Sequence, residues 1–506
     1  MRDLGGHSGR GFAKTIDWWL VGCWILMTLI GWANIYASIH SSEPSSIFDF
    51  ASRSGKQFVW MMTSLGLAGL ILFVIPPRTY EGLSVLIYGF TIMLLIAVIF
   101  LGIEVKGSRS WFAFGPVRLQ PAEISKISTS LLLATVMSQL GYRISRAKDF
   151  IITALVILVP MMIIVLQSET GSALVYVGFI FMLYREGLSG WLIFIIGMAI
   201  LSFILTLTAS PYVAILVIIG VASLCIFLYS GRFKWWVLVG IPVIVLLAFI
   251  PDIMGMLTKW IVGAEELAAL NASIEAGEEV ALPFIMQIKP IYILLGFSFL
   301  SLPFAAFQAF REGNRFTSLS LLAFIGGIIL VFSTDFLFND VLQDHQRKRI
   351  EVLLGMKEDP SGVGYNVNQS KIAIGSGGLT GKGYLKGTQT TYGFVPEQST
   401  DFIFCTIGEE WGFVGTSSVI LLYVFLIWRI IRNAERSREA FTRIYGYCVA
   451  CCIFMHLFIN IGMTIGLMPV IGIPLPFISY GGSSMWAFTV MLFIFIALNR
   501  NERKYF

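Results

Sequence analysis

The sequence predicts an all-α, polytopic membrane protein, a helix bundle of about fourteen spans carrying one large extracytoplasmic loop. Three observations predict it. Apolar residues make up 57% of the 506 and charged residues only 13%. Mean hydropathy is +0.81. Apolar runs near the ~20 residues that cross a bilayer recur along the chain. Such a chain cannot make a soluble globule, and nothing in it points to nucleic acid.

Taken in order, the runs lie near 17–38, 57–75, 82–102, 120–140, 150–167, 170–184, 189–207, 211–229, 235–254, 289–310, 317–338, 405–430, 444–467 and 474–498. The run at 170–184 is short for a full crossing. Residues 1–16, with Arg2, Arg10 and Lys14 and no small-residue cleavage signal, read as a retained cytoplasmic tail. With that end inside, every inward segment is basic. They carry Arg78; Arg143, Arg146 and Lys148; Arg185; Arg232 and Lys234; Arg311 and Arg315; Arg432, Arg436, Arg438 and Arg443; and Arg500, Arg503 and Lys504 in the tail 500–506. The outward stretch 255–288 is acidic, with Glu265, Glu266, Glu275, Glu278 and Glu279. The span 317–338 then leads into a polar, glycine-rich loop, 339–401, on the outer face.

That placement excludes cytosolic nucleoside triphosphates as direct reactants in the loop. Gly381-Lys382 there is no phosphate loop, because Ser376 and Gly383 stand where Gly and Ser or Thr are required. The six cysteines imply no disulfide framework, and Cys448, Cys451 and Cys452 read as small apolar packing residues rather than a metal clip. None of the four histidines marks a site; His456 stands alone in a span and reads as a packed residue.

The loop ends on Asp401, a carboxylate beside a span, and this points to an enzyme acting on a lipid-linked substrate at the bilayer surface. Cations on the outer face run against the orientation rule and need a reason: Arg53, Lys56, Lys106, Arg109, Arg118, Lys371, Lys382 and Lys386. A diphosphate at headgroup depth, gripped by fixed cations and by loop amides such as those of Gly377 and Gly378, supplies one; lipid-headgroup contact supplies the other. Glu123 and Lys126 share a helix face. Each costs roughly 2.5–3.5 kcal/mol near the bilayer centre, so they need each other or a watery cavity. Gln167 and Glu169 form a polar break that lines the same cavity or is a simple turn. Trp111 stacks on a sugar or sits in the interfacial belt. Glu397 joins the candidate substrate contacts, and Ser479, in Ser479-Tyr480-Gly481-Gly482-Ser483, lines a cavity or lets helices pack closely.

Several of these stretches together resemble the SEDS family (shape, elongation, division and sporulation). They are Gly107-Ser108-Arg109-Ser110-Trp111 with Gln120-Pro121-Ala122-Glu123-Ile124-Ser125-Lys126, residues 369–383, residues 396–404 followed by Gly408-Glu409-Glu410-Trp411-Gly412, and residues 460–463 through 474–483. Residues 342–349 and Lys386-Gly387-Thr388-Gln389 resemble the elongation branch more than the division branch. The similarity covers about 15–205 and 317–500. It implies SEDS-like helices over 17–207 and 402–499, with 208–316 as inserted spans, about four beyond the usual ten. Where the family shows Gln-Pro-Asp-Leu-Gly, this chain has Gln167-Ser168-Glu169-Thr170-Gly171.

The resemblance implies a peptidoglycan glycosyltransferase of the bacterial cytoplasmic membrane that polymerises lipid II in cell elongation, partnered by a class B penicillin-binding protein. Asp401 would be the base, and Arg109, Lys126 and Lys371 would receive the departing diphosphate. The resemblance fixes no cofactor, and Mg2+ or Mn2+ can bind through substrate phosphates and one carboxylate, which makes Asp401 either base or metal ligand. The competing readings are a flippase for the lipid-linked precursor, a non-catalytic scaffold, and the division-specific branch.

Overall fold

The computed structural model describes residues 15–40, 46–263 apart from 106, 116 and 230, 283–336 apart from 313 and 314, 364–504, and the isolated residues 266, 267, 270, 338, 347 and 351. Four of the five glutamates of the acidic stretch, Glu265, Glu275, Glu278 and Glu279, most of the 342–349 motif and the first fourteen residues therefore lie outside the described part. The chain divides into two units, residues 1–188 with 358–506 and residues 189–357.

The first unit opens with α1 (Trp18–Ile39), α2 (Arg53–Phe73) and α3 (Arg78–Leu101). Asp17 caps α1 by accepting from Trp19 N, and its other oxygen pairs with Arg429 at 2.9 Å. A small antiparallel sheet follows, absent from the all-α expectation: β1 (Ile103–Val105), β2 (Ser108–Phe114) and β3 (Val117–Leu119), ordered β1-β2-β3. Next come α4 (Pro121–Met137), α5 (Ala147–Leu166) and α6 (Thr170–Arg185). Pro121 suits the first turn of α4, where its missing N–H loses nothing. α4 carries Ser125, Lys126, Ser128, Thr129 and Ser130, all buried. A helix that is polar in composition yet enclosed by protein explains why hydropathy alone rates α4 below the other spans.

The second unit holds α7 (Gly190–Thr208), α8 (Pro211–Tyr229), the bent pair α9 (Phe233–Ala248) and α10 (Ile250–Val262), α11 (Pro290–Glu312) and α12 (Arg315–Phe336). The bend is 46° and falls beside Pro251. Its apolar core gathers Ala214, Ile215, Ile218, Leu247, Leu294, Phe324 and Val331.

The first unit resumes with α13 (Tyr365–Ser376), the single turn α14 (Thr388–Thr391), α15 (Ile403–Arg436), α16 (Ala440–Thr464) and α17 (Gly482–Lys504). Among the described residues ten helices are long and apolar enough to cross a bilayer, and the bent pair makes an eleventh. With the shorter apolar helices in α6 and α12, and with α4, all fourteen expected segments are helical. The last one starts later than expected: Pro474, Pro476 and Phe477, whose φ is +68°, keep 474–481 out of the helix. Between 208 and 316 the described residues hold the segments α8, α9 with α10, and α11.

Candidate active site

Asp401 sits two residues before α15, half-buried, at the close of a tight turn. Glu397 makes that turn in the left-handed region, φ +54°, where a non-glycine residue pays in strain. Its carbonyl accepts from Thr400 N at 3.1 Å and Phe402 N at 3.2 Å, and its Oε2 accepts from Thr400 Oγ1 at 3.1 Å.

The segment between α16 and α17 wraps this turn. Asn460 Nδ2 donates to Asp401 O at 2.8 Å and to Ile473 O at 2.7 Å. Ser479 Oγ donates to Thr400 O at 2.6 Å and accepts from Leu475 N at 2.8 Å, and Tyr480 N donates to Ser399 O at 2.9 Å. Asp401 Oδ2 lies 3.4 Å from where a Cβ on Gly472 would stand, an ordinary contact distance, so the carboxylate sits beside this residue. Arg53, at the start of α2, donates to Ser399 Oγ at 2.6 Å and stacks over Tyr480 at 5.9 Å. Burial raises the Tyr480 hydroxyl above its ordinary pKa while Arg53 and Arg118 pull it down, which places both cations near this ring.

The small sheet reaches the same segment through Glu169. Ser108 and Ser110 donate to Glu169 Oε2 at 2.8 and 3.1 Å, and Gln120 Nε2 to Oε1 at 3.1 Å. Strand alternation points Arg109 and Trp111 away from the face that carries the two serines. Arg109 is open to solvent and pairs loosely with Glu104, 3.7 Å away. The Glu169 turn packs on residues 471 and 473, where a Cβ at Gly171 would meet Ile471 at 2.9 Å and Ile473 at 3.0 Å. Lys371, on α13, lays its ammonium against the other end of the segment, 2.6 Å from a Cβ placed on Gly466. The turn of Glu397 and Asp401, Lys371 and the Glu169 turn thus border residues 466–483, whereas Arg109 and Trp111 lie on the opposite face of β2, away from Glu169.

Three expectations change. Gly377 and Gly378 do not form a phosphate cradle, because their amides donate to Ile374 O and Gly375 O, and those of Gly381, Lys382 and Gly383 to Gly377 O, Glu409 O and Glu410 O. These glycines instead let the loop touch α15: a Cβ at Gly377 would meet Gly408 O at 2.0 Å, and one at Gly381 would meet Glu410 O at 2.1 Å. Ser479 binds two backbone groups rather than lining an open cavity. Glu123 and Lys126 meet at 2.7 Å, each almost fully buried, so they form an enclosed pair instead of a cavity wall.

Sequence reasoning missed two residues. His456 lies 2.8 Å from Lys126 Nζ, a contact across 330 positions that no spacing rule reveals. Glu409, fully buried, accepts from Lys382 Nζ at 2.7 Å, Gln389 N at 2.8 Å, Thr390 N at 2.8 Å and Thr390 Oγ1 at 2.6 Å, fastening the loop to α15. Its position in an apolar helix was the available signal, since a buried carboxylate needs donors.

A family profile described as "Cell cycle protein", covering FtsW, RodA and SpoVE, matches residues 17–218 and 293–504. The chain is 30% identical over 441 residues to the peptidoglycan glycosyltransferase MrdB of Escherichia coli K12, covering 86% of this chain and 84% of that one. It is 29% identical to the peptidoglycan glycosyltransferase RodA of Treponema pallidum, over 96% of this chain and 98% of the relative. A chain from a solved peptidoglycan synthase complex shares the fold at TM-score 0.55 and 22% identity, with 96% and 98% coverage. This chain belongs to the FtsW/RodA/SpoVE family of multi-pass membrane proteins.

Proposed function

We propose that the protein is a peptidoglycan glycosyltransferase that polymerises lipid II on the outer face of the bacterial cytoplasmic membrane, with both termini inside, in concert with a class B penicillin-binding protein. Elongation is the favoured branch, as the relatives named above suggest. The observation that carries the chemistry is the half-buried Asp401, held through its own carbonyl by Asn460 and lying beside Gly472.

Glycosidases need a second carboxyl group to protonate a sugar leaving group. A diphosphate leaves with its electron pair unaided, so one base suffices. Asp401 takes the proton from the acceptor GlcNAc 4-hydroxyl. That oxygen bonds to the anomeric carbon of the MurNAc donor as the carbon–phosphate-oxygen bond breaks, with inversion. Lys371 and Arg53, which border residues 466–483, and the solvent-exposed Arg109 of β2 supply positive charge for the departing diphosphate. Lys126 contributes only from within its buried pair, and Trp111 and Glu397 flank the sugars.

Among the described residues no group of three or more His, Cys, Asp or Glu could hold a metal ion. A Mg2+ or Mn2+ ion would be held by the substrate phosphates with Asp401 as its one carboxylate, adding charge at the leaving group, and Asp401 would then be its ligand rather than the base. The purified protein, with its partner, should convert fluorescent lipid II into a ladder of glycans. A flippase would move the lipid across vesicles without making polymer, and a scaffold would bind its partner without turnover; either result would displace the proposal.

A further inference from the structure

His456 is 1% exposed and does not touch the proposed substrate site, yet both its nitrogens are engaged. Nδ1 is 3.0 Å from Pro474 O, and a carbonyl only accepts, so Nδ1 carries the proton. Nε2, 2.8 Å from Lys126 Nζ, is then the acceptor for the ammonium. Lys126 in turn is bound to Glu123 at 2.7 Å and lies over Phe488 at 5.0 Å.

One helical turn further along α16, on the same face, Asn460 holds Ile473 O and Asp401 O with one amide nitrogen. Two residues of α16 therefore grip consecutive carbonyls, 473 and 474, of the segment that borders Asp401. The second grip extends to the backbone of Asp401 itself. Within the same segment, Gly472 lies beside the Asp401 carboxylate.

We infer that His456 is a positioning residue for Asp401. Through Pro474 and Ile473 it registers the 471–476 segment against α16, and the buried Glu123–Lys126 pair holds its ring in the orientation this requires. Moving the ring shifts residues 473 and 474, and with them the amide that holds Asp401. This rests on the reading of Asp401 as the base.

Three substitutions separate the two arms. His456→Asn keeps an amide N–H where Nδ1–H stands and retains Pro474, while losing Lys126. His456→Gln reaches Lys126 and releases Pro474. His456→Leu loses both. The measurement is kcat and KM for lipid II polymerisation by the complex with its partner, alongside Asp401→Asn.

His456→Asn should keep kcat within about fivefold of wild type, while His456→Gln and His456→Leu lose on the order of 100-fold in kcat at unchanged KM, as expected for a base displaced by about an ångström. Normal kcat in His456→Leu or His456→Gln, or a loss in His456→Asn as deep as in His456→Leu, would overturn the inference. If His456→Leu fails to fold, the order of His456→Asn above His456→Gln decides it. Activity in Asp401→Asn would remove the base assignment instead, so the two failures are told apart.

Discussion

Replacing Glu409 with alanine tests how the loop is held. The carboxylate is fully buried and receives the Lys382 ammonium, two backbone amides and the Thr390 hydroxyl, with Thr388 Oγ1 at 3.3 Å besides. Removing one partner of a buried ion pair costs about 3–5 kcal/mol; Thr390 stays buried without an acceptor while Lys382 is partly exposed, so the lower end applies. Lys382 N and Gly383 N also donate to the α15 carbonyls of Glu409 and Glu410, and Leu385 N to Glu410 Oε1 at 3.1 Å, so residues 388–390 are the part that leans most on this carboxylate. Tyr384 OH reaches Ala33 O at 2.9 Å, and Gln398 Nε2 reaches Thr390 O at 3.0 Å. The loss should therefore appear as local opening. A cost of 3 kcal/mol raises the open population about 150-fold, since 1.4 kcal/mol is a factor of ten. Hydrogen exchange read by mass spectrometry in detergent should show amides 388–390 exchanging about 100-fold faster in Glu409→Ala, with α16 amides unchanged. Glu409→Gln, which keeps one acceptor oxygen, should fall between. Protection of 388–390 within about threefold of wild type would refute the assignment of Glu409 as the loop's fastening.

Gly377→Ala should lower the thermal midpoint through a cost of about 1–3 kcal/mol, because the new Cβ would stand 2.0 Å from Gly408 O and the loop must lift off α15; an unchanged midpoint would contradict the close approach. Glu169→Ala removes the acceptor shared by Ser108, Ser110 and Gln120. It should loosen the 103–119 hairpin in hydrogen exchange and raise KM for lipid II, while the midpoint stays near wild type.

Much of the architecture was legible because the bilayer imposes a single rule on every span. Runs of apolar residues can only cross as helices when no water satisfies the backbone, so fourteen segments could be read directly. α4 was read as one of these runs too, and its charged pair, too costly to face lipid, marked it as needing a partner or a watery cavity. The small sheet was not legible, since its three- and seven-residue strands look like any polar connection between spans. The start of α17 was misjudged because the run 474–481 is apolar while its prolines and left-handed Phe477 resist helix.

At the site, Asp401 stood out as a carboxylate where loop meets membrane, and Asn460 lay within a quoted motif without an assigned task. The glycines of 375–383 were misread because open phosphate nests and close backbone contacts favour the same residue. Only the positions of Gly408 and Glu410 decide between them. His456 was dismissed because its partners, Lys126 and Pro474, come from another helix and from the connecting segment beyond its own. Pairings of that kind are written in the fold, whereas sequence spacing shows only neighbours on one element.

The most direct test of the central claim is a single-turnover measurement on Asp401→Asn, which keeps the shape of the side chain and its backbone bond to Asn460. Bound lipid II should remain at wild-type levels while the rate of glycosidic bond formation falls by a factor of about 10²–10⁴, the range for loss of a general base. Bond formation at the wild-type rate by this variant would contradict the account.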